Sequence, residues 1–519
     1  MIEKYLNNRF FILYLFPFIL GSLTVFSFQP FNFTIINFII LPIFFYLIAY
    51  INRKSKSKYR QKPFKKNFFI FGSTFGFGFY LCGLHWITNS LTFDENFKIL
   101  IPFGLILIPL FLSLFFSIVT VLTGPYISLN FKSIIILSGA LALSDYIRSK
   151  ALTGFPWNLW AYSFSWSTEI IQILNKIGLF AFNLISVTFF LLPAVFFLKI
   201  KVSQKSSIIF FLILIMLSLY LYGNYSINQN SRMLNGITNK FHIKVISPNF
   251  NLNYNLSYEE IESRLKKLIK YSEPKKNKKT IFVWPEGVFS GYSYNEILGF
   301  KKIFLNSFSE NHLIIFGVNR SNLNGDGLFN SFLIVNHRFE IIEEYKKQKL
   351  VPFGEFLPFE NTLQKIGLKK ITEGYGSFLK GSDQNNLIVG KLNILPLICY
   401  EIIFPKFIQQ KRQNSNLIIN ISEDGWFGKS IGPYQHFSKA VFRAVEHNSF
   451  LIRSANKGIS AIINNKGEII KKLNPSEAGN IELEVPLIKS NKKNKNDLIF
   501  IILLFTYIFF LKFYNNVKK

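Results

Sequence analysis

Seven apolar runs, each about as long as a lipid bilayer is thick, fill the first part of this chain, and an eighth lies close to its C-terminus. They fall near residues 9–27, 31–51, 67–90, 98–123, 133–149, 176–198 and 207–224, with the last near 497–513. A helix needs about 20 mostly apolar residues to cross the hydrocarbon of a bilayer. In that solvent every backbone N–H and C=O must find its partner within the spanning segment. Runs of this length and number restrict the N-terminal part to a bundle of membrane helices. Half of the residues are hydrophobic, too apolar for an ordinary soluble enzyme of this length.

Between the seventh and eighth runs the composition changes to Lys, Glu, Asn and short β-like stretches. The expected organisation is a polytopic α-helical membrane domain over 1–225 with about seven transmembrane helices, a soluble-type domain over 226–490, and a closing transmembrane helix with a short tail over 491–519. The net charge of +30 suggests nucleic acid at first sight, but its placement argues against such a partner. Lys and Arg crowd 53–66, follow the sixth run at Lys199, Lys201 and Lys205, and close the chain at Lys518 and Lys519, whereas Asp94 and Glu95 occupy an opposite loop. This is the alternation that positive-inside sorting produces. Counted from a cytoplasmic N-terminus bearing Lys4 and Arg9, it puts the inserted domain on the outer side. The first apolar run is followed by Phe28-Gln29-Pro30 rather than a small-x-small cleavage site, so no cleaved signal peptide is expected.

Arg148 and Lys150 break the alternation. They sit in Asp145–Trp157, where charge meets Gly, Pro and Trp at the edge of a run. One reading is an interfacial re-entry anchored by Trp157 and Trp160; the other has Arg148 and Lys150 holding an anionic lipid headgroup. Gly72-x-x-x-Gly76 in the third run is a close-packing pattern. With no run of intramembrane carboxylates and no repeat of broken helices, a transporter is disfavoured.

In the inserted domain three strand-like stretches each lead into a reactive residue. Thr280–Trp284 leads to Glu286, Phe339–Tyr345 to Lys346 and Lys347, and Asn393–Ile398 to Cys399. Helical patterns over 258–271 and 438–446 lie between further strand candidates, which implies an α/β layered domain. Of the two cysteines, Cys82 falls in a membrane run, so Cys399 has no disulfide partner in this domain. It is either a core thiol or a nucleophile. A thiol attacks only as thiolate and needs a base or a cation nearby; Glu286 can take the proton and a lysine can stabilise an oxyanion. His436 and His447 are the alternative bases, in a context unlike that of the cysteine proteases. No cysteine pair or His-x-x-x-His spacing suggests a metal, and no cofactor is expected.

Glu286 in Trp284-Pro285-Glu286, Lys347 ahead of Leu350-Val351-Pro352-Phe353-Gly354-Glu355-Phe356, and Cys399 in Ile398-Cys399-Tyr400-Glu401 resemble the Glu-Lys-Cys triad of the nitrilase (carbon-nitrogen hydrolase) superfamily. Together with Asp424–His436, Thr153–Trp157 and the flanking apolar runs, they resemble the apolipoprotein N-acyltransferase family of the bacterial inner membrane. The resemblance covers nearly the whole chain. It implies an αββα nitrilase-like sandwich facing the periplasm, beside a multi-pass membrane domain. It also implies transfer of an acyl chain from a phospholipid, through a cysteine thioester, to the N-terminal amine of a diacylglyceryl-cysteine apolipoprotein. Carried over by position, Glu286 is the general base, Lys347 the oxyanion stabiliser and Cys399 the nucleophile. Glu355, Tyr400 and Glu401 are the supporting residues, with the Tyr400 backbone N–H as a second oxyanion donor. Trp426, Phe427, Tyr254 and Arg148 are the candidate substrate contacts.

The chain departs from the family at two places. Asn251–Leu256 holds Tyr254 where a tryptophan is usual, and Glu423 replaces the asparagine before Asp424. An amphipathic arm is expected over Phe356–Phe378, with Leu363, Ile366, Leu368 and Ile371 on its apolar side. The rivals are a membrane-tethered amidase, with water in place of the amine, and a non-enzymatic scaffold, which an intact triad disfavours.

Overall fold

The computed structural model describes residues 8–55, 63–93, 95–322, 327–358, 377–382, 386–411, 415–488 and 496–517. The core of the expected amphipathic arm lies outside the described residues. The chain forms two compact units, one of Met1–Thr88, Ile99–Ser226 and Asn494–Lys519, the other of Asn89–Lys98 and Ile227–Lys493.

The first unit is helical. Its helices are α1 (Phe16–Leu23), α2 (Asn37–Ser55), α3 (Pro63–Leu84), α4 (Ile101–Thr123), α5 (Phe131–Arg148), α6 (Leu174–Leu191), α7 (Val202–Asn235, which runs on into the second unit) and, after the second unit, α10 (Asn496–Val517). Among the described residues five helical stretches are long and apolar enough to cross a membrane: Thr34–Lys54, Lys65–Thr92, Glu95–Tyr126, Ile170–Phe197 and Val202–Asn235; Phe11–Ser27 is a shorter apolar stretch. The small residues of α3 set its distance from α4. A Cβ on Gly72 would lie 2.8 Å from the Phe116 carbonyl oxygen, and one on Gly76 would lie 2.9 Å from the Ser113 Cα. Without a hydrophobic drive between helices in lipid, such close approach is what holds them together.

Trp157 and Trp160 face inward rather than toward a membrane interface, each 1% exposed. Trp157 packs on Trp86 with ring centroids 4.7 Å apart, and Trp160 on Phe79 at 5.2 Å. The cause is a buried polar network. Arg148 donates to Asp145 at 2.8 Å and to the Phe155 carbonyl at 2.6 Å, while Asn183 donates to Asp145 at 2.9 Å and accepts from the Ala161 N–H at 3.0 Å. These bonds tie the irregular segment after α5 to α5 and α6.

The second unit is an αββα sandwich. One six-stranded sheet runs β12-β1-β2-β3-β4-β5, from β1 (Lys240–Ser247), β2 (Thr280–Val283), β3 (His312–Ser321), β4 (Leu328–Val335), β5 (Ile341–Lys346) and β12 (Gly479–Pro486). The other runs β11-β10-β9-β8-β7-β6, from β6 (Leu387–Val389), β7 (Leu392–Ile398), β8 (Leu417–Glu423), β9 (Leu451–Asn456), β10 (Ser460–Ile463) and β11 (Ile469–Leu473). The central strands β1-β2-β3 and β7-β8-β9 are parallel, and the outer ones antiparallel.

Alternation along each strand explains the layers. Ile281 and Val283 of β2 face Ile394, Ile419 and Ile452 of the other sheet, whereas Phe282 between them packs on the outer helical layer with Leu265 and Leu268. That layer includes α8 (Tyr258–Ser272), started by a capping box in which Ser257 and Glu260 satisfy each other's backbone N–H groups. The crossover from β8 to β9 is α9 (Gly432–His447), which is buried almost throughout.

Candidate active site

Side chains that follow the three strand-like stretches, on strands that are not neighbours, come within electrostatic reach of one another. Glu286 follows β2 and is 8% exposed. Its position depends on Gly317 in β3: a Cβ there would lie 2.9 Å from the Glu286 Cα. The carboxylate is fixed at both oxygens. Asn330 donates to Oε1 at 2.7 Å, and the Glu423 backbone N–H donates to Oε2 at 3.0 Å.

Lys347 follows β5 directly and is 1% exposed. Its backbone N–H donates to the Asn330 carbonyl at 2.9 Å, which continues the β4–β5 ladder and aims the side chain inward. The ammonium donates to Glu355 Oε1 at 2.9 Å and reaches Glu286 Oε1 at 3.4 Å. Burial opposes its charge, but Glu286 and Glu355 outweigh that and hold its pKa above the usual lysine range. Glu355 is set by its own turn, with Oε2 accepting from the Val351 N–H at 2.8 Å, and its Oε1 also accepts from Asn330 at 2.9 Å. Asn330 and Lys347 thus bridge the same two carboxylates.

Cys399 caps β7 with φ at +47°, a left-handed conformation that costs a non-glycine residue about 1–3 kcal/mol. Glu401 holds that turn. It is fully buried, and its Oε1 accepts from Tyr345 Oη at 2.7 Å, from the Gln348 N–H at 2.8 Å and from the Lys349 N–H at 3.1 Å. Its Oε2 accepts from the Ile398 N–H at 2.9 Å. One carboxylate therefore binds the residue before the thiol to the two residues after Lys347. Burial holds the Glu401 pKa above the usual carboxylate range, with these donors opposing the rise only in part. Tyr400 lies edge-on to Phe404, at 5.0 Å and 84°. The Cys399 thiol is half-buried. Burial first, then the Glu286 carboxylate, push its pKa well up, with Lys347 opposing.

A second polar cluster backs the thiol. Asp424 accepts from Ser422 Oγ at 2.7 Å and from Arg453 at 2.8 Å, and it lies 3.0 Å from His436 Nδ1. Burial opposes the Asp424 charge, but Arg453 and His436 hold its pKa well below the usual carboxylate range. Arg453 also bonds Asn420. Glu423, between Ser422 and Asp424, accepts from Asn456 at 2.8 Å and from the Gly425 N–H at 2.8 Å. Its pKa is raised well above the usual range, chiefly by burial.

Tyr254 stacks on Trp426 at 5.7 Å, and Trp426 meets Phe93 edge-on at 5.3 Å. Burial raises the Tyr254 phenol pKa, and the fields of Glu423, Glu286, Glu355 and Cys399 raise it further, so this side chain borders the triad. Phe427 packs edge-on to His436 at 5.3 Å, and its carbonyl accepts from Asn89 at 2.6 Å. Arg148 belongs to the other unit and is 2% exposed. Its guanidinium is committed to Asp145 and Phe155, so it is not the exposed cation that a headgroup contact requires. Lys150 pairs with Asp497 at 2.9 Å.

Asn330, Ser422, Asn456 and Arg453 were not singled out from the sequence as site residues, and His436 was weighed there as an alternative base rather than as a partner of Asp424. The available signal was polarity inside apolar strands: Asn330-Ser331 interrupts β4, and Arg453 interrupts β9.

Residues 20–192 match the family model described as apolipoprotein N-acyltransferase N-terminal domain, and residues 251–490 match that described as carbon-nitrogen hydrolase. A protein of Rickettsia typhi named apolipoprotein N-acyltransferase is 33% identical over 485 residues, 90% of this chain and 91% of its own. A Bradyrhizobium diazoefficiens protein of the same name is 30% identical over 483 residues, 90% of this chain and 88% of its own. Among solved structures, a CN-hydrolase superfamily protein of Xanthomonas campestris covers 48% of this chain and 91% of its own at 14% identity, with a TM-score of 0.34.

Proposed function

The chain belongs to the apolipoprotein N-acyltransferase family, and from that premise we propose that Cys399, Glu286 and Lys347 carry a two-step acyl transfer from a phospholipid to the α-amine of a diacylglyceryl-cysteine apolipoprotein. The chain is an acyltransferase of lipoprotein maturation and is embedded in a membrane by its apolar helices. The finer reading is ours. The protein lies in a bacterial inner membrane, with spanning helices over 1–225 and 491–519 and the catalytic domain over 226–490 facing the periplasm. The alternation of basic loops supports this orientation.

In the first step Glu286 takes the Cys399 proton as sulfur attacks the ester carbonyl. The S–C bond forms, negative charge moves to the carbonyl oxygen, and Lys347 with the Tyr400 backbone N–H stabilises it. The ester C–O bond then breaks, and the lysophospholipid oxygen takes the proton back from Glu286. In the second step the lipoprotein amine attacks the thioester, Glu286 takes the amine proton, and the C–S bond breaks to return the thiol. The raised thiol pKa favours this order, because proton removal must accompany attack when no standing thiolate exists. Glu355 shares the Lys347 ammonium, which meets Glu286 at Oε1, so Oε2, with one backbone N–H on it, keeps a lone pair for proton transfer. Tyr254, Trp426 and Phe427 are proposed to flank the lipid portions of the substrates.

The observation that carries this reading is the single ammonium held between two carboxylates beside the only thiol of the unit. The test is to incubate the purified full chain with phospholipid labelled in its acyl chain. The wild type is expected to carry a hydroxylamine-sensitive label at Cys399 that a synthetic diacylglyceryl-cysteine peptide discharges as an N-acyl product, and Cys399→Ser to carry no thioester. Equal thioester labelling in both overturns Cys399 as nucleophile. Release of free fatty acid with no acylated peptide overturns the acceptor in favour of water.

A further inference from the structure

Behind the nucleophile stands a hydroxyl to which the acyl transfer just described gives no task. In the parallel β7–β8 pair the ladder ends with Ile398 opposite Ile421; Cys399 follows on one strand and Ser422 on the other, and their side chains interact. Ser422 is fully buried. Its Oγ donates to Asp424 Oδ1 at 2.7 Å, which fixes the oxygen in place. Asp424 does not depend on that bond. Its carboxylate also accepts from Arg453 at 3.0 Å and 2.8 Å and lies against His436 Nδ1. When the hydroxyl turns away, Asp424 remains satisfied.

We propose that Ser422 is a positioning residue for the nucleophile, its hydroxyl donating to Asp424 while Cys399 is a thiol and turning to donate to the sulfur once the proton has left for Glu286. The proposal rests on Cys399 being the nucleophile. A hydroxyl has one hydrogen and two acceptor lone pairs. Beside a neutral thiol that hydrogen is best placed on the Asp424 carboxylate; beside a thiolate, the hydrogen bond to sulfur is the charge-assisted one. The charged and titratable groups facing the sulfur are Glu286, Lys347, Asp424 and Tyr254. Glu286 and Asp424 both disfavour a negative sulfur, and Lys347 alone favours it. A switching hydroxyl gives the thiolate a donor without adding charge, and it answers the Asp424 carboxylate behind it. Ser422 also interacts with the Cys399 side chain in the sense that favours the thiolate.

The experiment is the pH dependence of Cys399 alkylation by iodoacetamide in the detergent-solubilised full chain, read at the Cys399 peptide by mass spectrometry so that Cys82 does not contribute. Ser422→Ala is expected to slow Cys399 alkylation roughly tenfold at each pH read below the midpoint, the effect of an upward shift of about one pH unit. Ser422→Thr, which keeps the hydroxyl, is expected to stay near the wild type. Ser422→Val matches threonine in shape without the hydroxyl, so the Thr–Val pair carries the same comparison where Ala fails to fold. A Val profile that superposes on the Thr profile, or an Ala profile that superposes on the wild type, overturns the proposal. Alkylation needs neither phospholipid nor acceptor, so a failure of the acyl-transfer reading leaves this result standing, and the reverse also holds.

Discussion

Three carboxylates, Glu286, Glu355 and Glu423, crowd a site with a single buried lysine, and two of them share it. Among the described residues Glu423 accepts from two amide donors, Asn456 and the Gly425 N–H. Burial raises its folded pKa above that of the unfolded chain, so the folded state binds this proton more tightly. Stability is then lost as pH climbs from the unfolded carboxyl value, about 4.3, through the folded one. Glu423→Gln removes that loss. Its unfolding midpoint relative to wild type is expected to shift in favour of Gln as pH rises from about 4 to about 8, measured by thermal melts in one detergent. A gap that stays constant over this range refutes the assignment. Asp424, one residue on, behaves oppositely. With its pKa held down, its contribution is present above the unfolded aspartate value and is lost as pH falls through the folded one.

At the scale of elements, the site is a set of strand ends held in register by small residues and turn bonds. Gly317 in β3 is the tightest of these. A methyl there meets the Glu286 backbone at 2.9 Å and Ile421 Cδ1 at 3.1 Å, and backbone cannot yield as a side-chain tip can. Gly317→Ala is expected to cost about 1–3 kcal/mol of stability and to slow thioester formation roughly a hundredfold by displacing the base. Normal thioester formation in a folded Gly317→Ala protein contradicts this.

The three residues of the proposed triad stood out in sequence because each lies shortly after an apolar strand-like stretch and the three occur in a recognisable order. Asn330 did not, since a polar residue within a strand looks like any satisfied core amide. Nor did the Ser422–Asp424–His436–Arg453 cluster. It is assembled from β8, α9 and β9, and one sequence does not tell which strands are neighbours. Arg148 shows the converse: a charge at the end of an apolar run suggests a ligand, but the Asp145 carboxylate three residues earlier satisfies it.

At the scale of the whole molecule, the catalytic unit is not one continuous stretch of chain. Asn89–Lys98, between α3 and α4, belongs to it, and there Asn89 bonds the Phe427 carbonyl while Phe93 meets Trp426. A chain cut to 227–493 is therefore expected to leave the Trp426–Phe427 segment short of partners. Its Trp426 should be more accessible to a collisional quencher than in the full chain, both read in Trp426-only backgrounds. Equal quenching rejects the idea.

The pairing of β1 with β12, Lys240 opposite Pro486, has a consequence for biosynthesis. β1 is made early and its outer neighbour last of all the strands. Until the chain has emerged past Pro486, one edge of the first sheet stays open, with its row of N–H and C=O groups unpaired, a hazard for association with other chains. The last strand to be translated is thus the one that covers β1.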